Sequence, residues 1–562
     1  MKIVIVGGVA GGATAAARIR RLDEQAEIIV FERTGFISYA NCGLPYYIGD
    51  VIQNKADLTL QTPESFWKRF RITMKVQHEV LAIHPEQKSV SVRNLATGET
   101  FEEGYDKLVL SPGAKAVMPE LPGVDSKKIF TLRTVEDTFA IKDFVTQHKP
   151  SSAVMVGGGF IGVELAENLR ELGLEVTIVQ RPPQLLSPFD ADMAAFIHNQ
   201  MRKNGIKLAL GASVTGFQED AEGISVLLKD GNPIHGDMVV LAIGVTPESH
   251  LAQDAGLALG MKGSILVNDR METSIKDIYA VGDAVQVKHA VTGTDTLIPL
   301  AGPANKQGRI VADNICGGDS RYHGSQGSSI IKLFDMTAAT TGINEKQAQK
   351  AGLSVDTVIL SPMSHAGYYP GGKIMTMKVV FERESYRLLG AQIVGYDGVD
   401  KRIDVLATAI HAGMKATDLK ELDLAYAPPY SSAKDPVNMA GFMVDNISKG
   451  LKQWHLSDLE GLLQNKGITL LDTRTPKEFS QGHIEGFTNI PVDELRERIG
   501  EVPAGKPVYL ICQNGLRSYI ATRILEGLGF EAYNFAGGYR FYQVVMEDKA
   551  LSQVAFPCGM DK

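Results

Sequence analysis

Twice in this chain an apolar run breaks on a cluster of glycines and resumes as a helix-forming stretch, and this repeat restricts the possible folds more than any other feature. The first copy is Lys2-Ile3-Val4-Ile5-Val6, then Gly7-Gly8-Val9-Ala10-Gly11-Gly12, then an alanine- and arginine-rich segment to about Leu22. A strand, a tight glycine turn and a helix in that order bring free backbone N–H groups and the positive helix end to one point, where a pyrophosphate binds. The acid that takes ribose hydroxyls about 20 residues further on is Glu32, at the end of the strand-like run from Glu27 to Phe31. Val9 departs from the pattern, standing where the middle glycine belongs.

The second copy, Gly157-Gly158-Gly159-Phe160-Ile161-Gly162, fits G-x-G-x-x-G fully, after the apolar run Val154-Met155-Val156 and before a helix from Val163 to Leu172. Its next strand, Glu175 to Val179, ends in Gln180-Arg181 instead of an acid. Gln180 removes the carboxylate that would repel a 2′-phosphate and Arg181 could attract one, so use of NADH with tolerance of NADPH is expected. A third run, Asp277 to Ala284, ends in Gly282-Asp283, where a carboxylate can hydrogen-bond a polyol such as a ribityl chain. Two dinucleotide folds, the second inserted before the Gly-Asp segment, imply an α/β chain that holds two dinucleotides.

A chain of 562 residues holds about three to five domains. Its net charge of −8 argues against non-specific nucleic-acid binding. No apolar stretch reaches the roughly 18 residues of a membrane helix, and the opening strand leads to the expectation that no signal peptide precedes the fold. Four cysteines, at 42, 316, 512 and 558, are too few for a disulfide scaffold, so a cytoplasmic protein is expected. No metal site is read from the sequence.

Two of the cysteines stand at chemically suggestive places. Cys42 lies in Ser38-Tyr39-Ala40-Asn41-Cys42-Gly43-Leu44-Pro45-Tyr46, shortly after the first glycine turn, and Cys512 opens Cys512-Gln513-Asn514-Gly515-Leu516-Arg517-Ser518 between an apolar run and a helix-like stretch. A thiol where a strand gives way to a helix faces free N–H groups, and a lowered pKa is expected for it. Thiolates accept and pass on sulfur, so a sulfur-handling redox enzyme is implied. Cys316 and Cys558 read as incidental.

These motifs, with Ser111-Pro112-Gly113 at the crossover between the folds, resemble the flavin-dependent pyridine nucleotide-disulfide oxidoreductases over about residues 1 to 445. The single cysteine in Asn41-Cys42-Gly43-Leu44-Pro45-Tyr46, with Tyr47 where dithiol members carry a second cysteine, is similar to the coenzyme A disulfide reductase branch, which also contains NADH oxidases and peroxidases. The resemblance implies FAD held by Gly7, Gly8, Val9, Ala10, Gly11, Glu32, Arg33, Ser111, Gly113, Gly282 and Asp283. It places NADH or NADPH on Gly157, Gly159, Phe160, Ile161, Gly162, Gln180 and Arg181. Coenzyme A contacts map to Thr14, Arg18, Arg21, Ser38, Asn41 and Lys434. Near position 70, where relatives carry a lysine, this chain has Phe70 between Arg69 and Arg71.

The segments His365-Ala366-Gly367-Tyr368-Tyr369-Pro370-Gly371 and Ala425-Tyr426-Ala427-Pro428-Pro429-Tyr430 resemble parts of the family's dimerisation domain. There, tyrosines reach the partner's cysteine as proton donors, which implies a homodimer and assigns Tyr426 together with Tyr368 or Tyr369. The tail, with Asp472-Thr473-Arg474, Gly482-His483-Ile484-Glu485-Gly486, the Cys512 loop and Gly537-Gly538-Tyr539, resembles a rhodanese domain. In that domain Cys512 would carry a persulfide in a cradle of N–H groups and Arg517 would close it. Asp472 and Arg474 are expected to pair with each other.

The implied organisation is an FAD domain of residues 1–112 and 245–326, an NAD(P) domain of 113–244, a dimerisation domain of 327–445, a linker of 446–455 and a rhodanese domain of 456–562. Three functions compete. One is a reductase of coenzyme A disulfide, coenzyme A persulfide or polysulfide, with sulfur relayed through the tail from a small molecule or a sulfur-donor protein. The second is an NADH oxidase or peroxidase cycling through a sulfenic acid on Cys42, and the third a sulfur carrier or redox-sensing interaction protein.

Overall fold

The computed structural model describes residues 1–59 and 61–553. They form two compact units, Met1–Pro183 with Gly205–Gly327, and Gln184–Asn204 with the chain from Ser328 onward. Cys558 lies outside the described residues.

The first unit is built on two five-stranded parallel sheets. One has the order Ile278–Ala280, Lys107–Leu110, Lys2–Val6, Glu27–Glu32, Thr73–Val76. The other runs Lys207–Leu210, Glu175–Gln180, Ser152–Val156, Met238–Leu241, Ile129–Thr131. Strands of parallel sheets are covered on both faces, which demands nearly continuous apolar sequence, and Ile3, Val4, Ile5, Val154 and Met155 are buried accordingly. Each glycine turn leaves the central strand of its sheet and enters a helix, Ala10–Leu22 (α1) or Phe160–Glu171 (α2). Helix α2 begins three residues earlier than the sequence pattern suggests, because Gly159 is its N-cap and Phe160 and Ile161 fall in its first turn. Helix α1 lies along Ala301–Ile315, where a Cβ added to Gly308 would be 2.4 Å from the Gly11 carbonyl oxygen.

The second unit joins an antiparallel sheet, ordered Ser329–Leu333, Met336–Gly342, Leu388–Gly395, Met375–Glu382, Val355–Leu360, to helix Ala191–Lys203 (α3). Lys378 on this sheet is buried, with its ammonium group 2.8 Å from Asp192 and 3.1 Å from Asp190 and a further bond to Glu345. A buried ammonium ion without such partners would be strongly destabilising, so the sheet and the start of α3 are mutually dependent.

The tail forms a parallel sheet ordered Gln453–Trp454, Ala532–Phe535, Val508–Ile511, Thr469–Asp472, Thr488–Asn489, with helices Leu516–Gly527 (α4) and Gly538–Gln553 (α5). The connection to it is shorter than the expected linker of 446–455. Helix Pro436–Ser448 runs into that range and Gln453–Trp454 already pair with Asn534 and Phe535. Helix α5 packs on α3 through Asp548, which takes His198 Nδ1 at 2.9 Å and also Arg202. His198 Nε2 accepts from the Leu185 N–H, which leaves the proton on Nδ1 for Asp548. Among the described residues, no helix is long and apolar enough to cross a membrane and no cluster of metal-ligating side chains occurs.

Two glycine substitutions should separate fold from ligand. A Cβ on Gly12 would be 1.9 Å from the Gly7 carbonyl oxygen, whereas one on Gly159 meets nothing within 4 Å. Gly12→Ala should therefore destabilise the protein by about 2 kcal/mol or more, with loss of flavin. Gly159→Ala should leave the melting temperature unchanged and raise the KM for the pyridine nucleotide. Thermal unfolding beside steady-state kinetics checks both, and an unshifted melting temperature in Gly12→Ala would refute the steric argument.

Candidate functional site

The two glycine turns have the same construction. In the first, Gly7 has φ +98°, and a Cβ there would be 2.0 Å from the Ser111 carbonyl oxygen. Glu32, buried at the end of its strand, accepts from the Gly8 N–H at 2.8 Å and from Thr34 N–H at 2.9 Å. In the second, Gly157 has φ +116°, a Cβ on Gly162 would be 2.1 Å from the Gly157 carbonyl oxygen, and Gln180 Oε1 accepts from the Gly158 N–H at 2.9 Å. Glu32 and Gln180 are thus equivalent in position and differ in charge. Val9 is tolerated as N-cap of α1 because its φ of −102° is open to any residue. Ser111 accepts no β-carbon opposite it at Gly11, where only 2.9 Å separates that position from Ser111 Oγ. Gly282 has φ +83° and its N–H bonds Gln307. Asp283 accepts from Arg133 at 2.6 Å, and Gly113 is in the left-handed region beside the same guanidinium.

These glycine turns, with no room for a β-carbon at Gly7, Gly12, Gly157 and Gly162 and ending at helix N-termini, fit two dinucleotides. Arg33 is engaged with Glu248 through two bonds of 2.8 and 3.1 Å, and Arg181 is exposed. Of the residues mapped to coenzyme A, Thr14 bonds Asn305 at 2.7 Å, Arg18 pairs with Asp313 at 2.8 Å and Arg21 is exposed. Ser38 adopts φ +45° with its N–H on the Gly8 carbonyl.

Cys42 sits in a single helical turn, Asn41–Gly43, and is exposed. Beside it, the side-chain oxygen of Asn41 is buried with no hydrogen-bond partner among the described residues, an acceptor available to a ligand. The lowered pKa expected from the motif is not found. Removal of its surroundings from water pushes the Cys42 thiol up, the Glu164 carboxylate adds to this, and Arg133 only partly opposes it. A turn of three residues supplies little helix dipole, while two carboxylates, Glu164 and Asp283, act against the thiolate. Glu164 is itself pushed up to about 7 by burial and by Glu167. Sequence reading missed it, although its place on α2 just after the second glycine motif was visible.

In the second unit the hydroxyls of Tyr368 and Tyr426 are 2.6 Å apart on exposed side chains. Tyr369 instead sets its ring edge-on against His365. The two tyrosine segments are fastened by Arg402, another residue the sequence did not single out. Its buried guanidinium donates to the Ser364 carbonyl at 2.8 Å, to Ser431 at 3.1 Å and to Asp435 at 3.0 Å. Lys434, next to Asp435, is exposed.

The Cys512 loop is a sulfur-centred cradle. The thiol is buried and accepts from the Gly515 N–H at 3.1 Å and from Ser518 Oγ at 3.3 Å. Gly515, with φ +94°, turns the chain into α4. Arg517 does not point unpaired charge at the loop: both terminal nitrogens reach Glu478 at 2.7 Å, which holds that carboxyl down at about 2. Asp472 and Arg474 pair as expected, 2.7 Å apart and buried, with the guanidinium under the Tyr539 ring.

Two dinucleotide folds and a thiol beside the first of them define a flavin-linked disulfide oxidoreductase. Residues 1–308 match the pyridine nucleotide-disulphide oxidoreductase family, residues 328–436 its dimerisation domain and residues 455–543 the rhodanese-like domain. The chain belongs to the pyridine nucleotide-disulphide oxidoreductase family, as an FAD-dependent enzyme that carries a rhodanese domain. It is 39% identical over 442 residues to coenzyme A disulfide reductase from Staphylococcus aureus, covering 78% of this chain and 99% of the relative. Reduced CoADR-RHD from Bacillus anthracis is 49% identical with a TM-score of 0.95, covering 97% of this chain and 98% of that one. An NAD-dependent persulfide reductase from A. fulgidus is 36% identical with a TM-score of 0.91, over 96% and 100% of the two chains.

The carboxylate beside Cys42 gives a pH test. In protein stripped of FAD, alkylation of Cys42 by iodoacetamide should rise with pH to a midpoint above the value of about 8.5 for a free thiol. Glu164→Gln should lower that midpoint, since it removes a charge that favours the neutral thiol. An unmoved midpoint would take Glu164 out of the electrostatics of this site.

Proposed function

We propose that this protein is a reductase of coenzyme A disulfide, coenzyme A persulfide or polysulfide sulfur that draws electrons from NADH or NADPH and works through Cys42 alone. The observation that carries the reading is the pair of phenols, 2.6 Å apart and exposed, in a chain whose Cys42 has Tyr47 where a second cysteine would stand. The names of the relatives supply the substrate class.

In this reading the Cys42 thiolate attacks one sulfur of coenzyme A disulfide. A Cys42–coenzyme A disulfide forms as the substrate S–S bond breaks, and the departing coenzyme A thiolate takes a proton from the tyrosine pair of the other protomer. With coenzyme A persulfide, attack on the inner sulfur releases hydrosulfide and leaves the same mixed disulfide. FAD, held by the first glycine turn, Glu32 and Asp283, supplies the two-electron link from the nicotinamide to sulfur. Two electrons and two protons return the mixed disulfide to coenzyme A and the Cys42 thiol. Asn41 offers its unpartnered oxygen, and Arg18, Arg21 and Lys434 offer positive charge to the coenzyme A phosphates, with Arg18 shared with Asp313. Glu164, pushed up to about 7 by burial and by Glu167, is the carboxylate that acts most strongly on the Cys42 thiol. The three described cysteines are all free thiols, which suits a reducing compartment.

The rhodanese domain relays sulfane sulfur. Gly515 N–H and Ser518 Oγ, which already bond the Cys512 sulfur, would hold a persulfide there. Anaerobic NAD(P)H oxidation with coenzyme A disulfide, coenzyme A persulfide and polysulfide, next to oxygen and peroxide, tests the whole reading. Faster turnover with oxygen or peroxide than with every sulfur substrate would replace it by the oxidase reading.

Cys42→Ser should abolish reduction of every sulfur substrate with FAD retained. Cys512→Ser should spare small coenzyme A persulfides and impair polysulfide or protein-bound sulfur, since the cradle matters only for donors too large for the flavin site. Equal losses on small and bulky donors would mean that all sulfur passes through Cys512.

Hybrid dimers test the cross-protomer role. Mixing Cys42→Ser chains with Tyr426→Phe chains should restore part of the activity. No recovery under demonstrated subunit exchange would place the tyrosine outside the reaction of the partner's thiol.

A further inference from the structure

Within the second unit a cleft of about 260 Å³ opens between α3, the antiparallel sheet and α5. Its lining is in part apolar and aromatic, with Phe196, Met336, Val394 and Tyr396. It also carries two cations, Lys203 at the end of α3 and Arg540 in the first turn of α5. Among the described residues neither cation has a carboxylate partner, and the Arg540 Nε is buried with no hydrogen bond at all. The one carboxylate on the wall, Glu547, accepts from Asn199 at 3.2 Å. A buried guanidinium N–H left unsatisfied costs the full desolvation of that donor, so a ligand that satisfied it would bind with corresponding gain. Two unpaired cations facing aromatic and aliphatic side chains match a dianion carried on an apolar body.

We propose that this cleft binds a phosphate monoester borne on an aromatic or apolar group. It is separate from both dinucleotide turns, which belong to the first unit. Its position gives it a path to the rhodanese thiol. The backbone N–H groups of Tyr539 and Arg540 donate to the carbonyls of Cys512 and Gln513, at 2.7 and 3.1 Å, so the first turn of α5 holds the Cys512 loop from behind. A ligand that engages Arg540 therefore acts on the segment that fixes the sulfur cradle.

The probe is phenyl phosphate, titrated by calorimetry into FAD-loaded protein whose pyridine nucleotide site is filled with NAD+. Saturable binding is expected, weakened about tenfold or more by Lys203→Met, by the usual worth of one charge-assisted hydrogen bond. Lys203 is exposed at a helix end, so this variant keeps the fold; Arg540→Met should weaken binding similarly. Inorganic phosphate and phenol should each bind at least about tenfold more weakly than phenyl phosphate. At saturation, phenyl phosphate should change the rate of Cys512 alkylation, followed by peptide mass spectrometry, and should no longer do so in Lys203→Met. Absence of saturable binding, binding untouched by Lys203→Met, or inorganic phosphate binding as tightly as phenyl phosphate would each overturn the site. An unchanged Cys512 alkylation rate at saturation would overturn its link to the rhodanese loop.

Discussion

The approach of backbone to backbone at the two glycine turns is the constraint on which the first unit depends. Gly7 and Gly12 leave no room for a β-carbon, since Ser111 and Gly7 oxygens would lie 2.0 and 1.9 Å from it, and Gly157 and Gly162 repeat the arrangement at 2.2 and 2.1 Å. Such contacts press each helix onto the strand it follows. The N–H of the second glycine in each turn, Gly8 or Gly158, then bonds the side chain at the end of the next strand, Glu32 or Gln180. One geometry is built twice, with a carboxylate in one copy and a neutral amide in the other.

The second unit depends on buried charge that is compensated rather than avoided. Lys378 is enclosed by Asp190, Asp192 and Glu345, Arg402 by carbonyls and Asp435, and Arg474 by Asp472. Removing one partner of such a group leaves a charge in low dielectric, and that penalty exceeds the net worth of the pair. These clusters therefore act as alignment devices. Arg402 holds the two tyrosine segments in one place, and Asp548 on α5 ties the rhodanese helix to α3 through His198 and Arg202.

Much of this was legible in the sequence because it is local. The glycine turns, the Asp472–Arg474 pair and the Cys512 loop follow from residues within a few positions of each other, and Glu32 and Gln180 from the regular strand–turn–helix–strand spacing that sets them 24 and 22 positions after the glycines they bond. What was not legible depends on distant partners. Arg402 bonds residues 28 to 38 positions away, and Glu478 meets Arg517 across 39 positions. The pairing of Tyr368 with Tyr426 spans 58 positions, and only the fold separates Tyr368 from its neighbour Tyr369, whose ring turns to His365. The electrostatics of Cys42 were misread for the same reason: the motif shows the turn, but the burial that raises the thiol most is a product of the fold, and the opposing carboxylate comes from α2.

The two thiols consequently have opposite surroundings. Cys512 is buried and its sulfur already accepts two hydrogen bonds, one from a backbone N–H and one from a hydroxyl. Cys42 is exposed, in a short turn, with Glu164 and Asp283 working against its thiolate. At Cys42 burial and the two carboxylates favour the neutral thiol over the thiolate. Arg133, fixed to Asp283 at 2.6 Å, still favours the Cys42 thiolate, but burial and Glu164 together outweigh it.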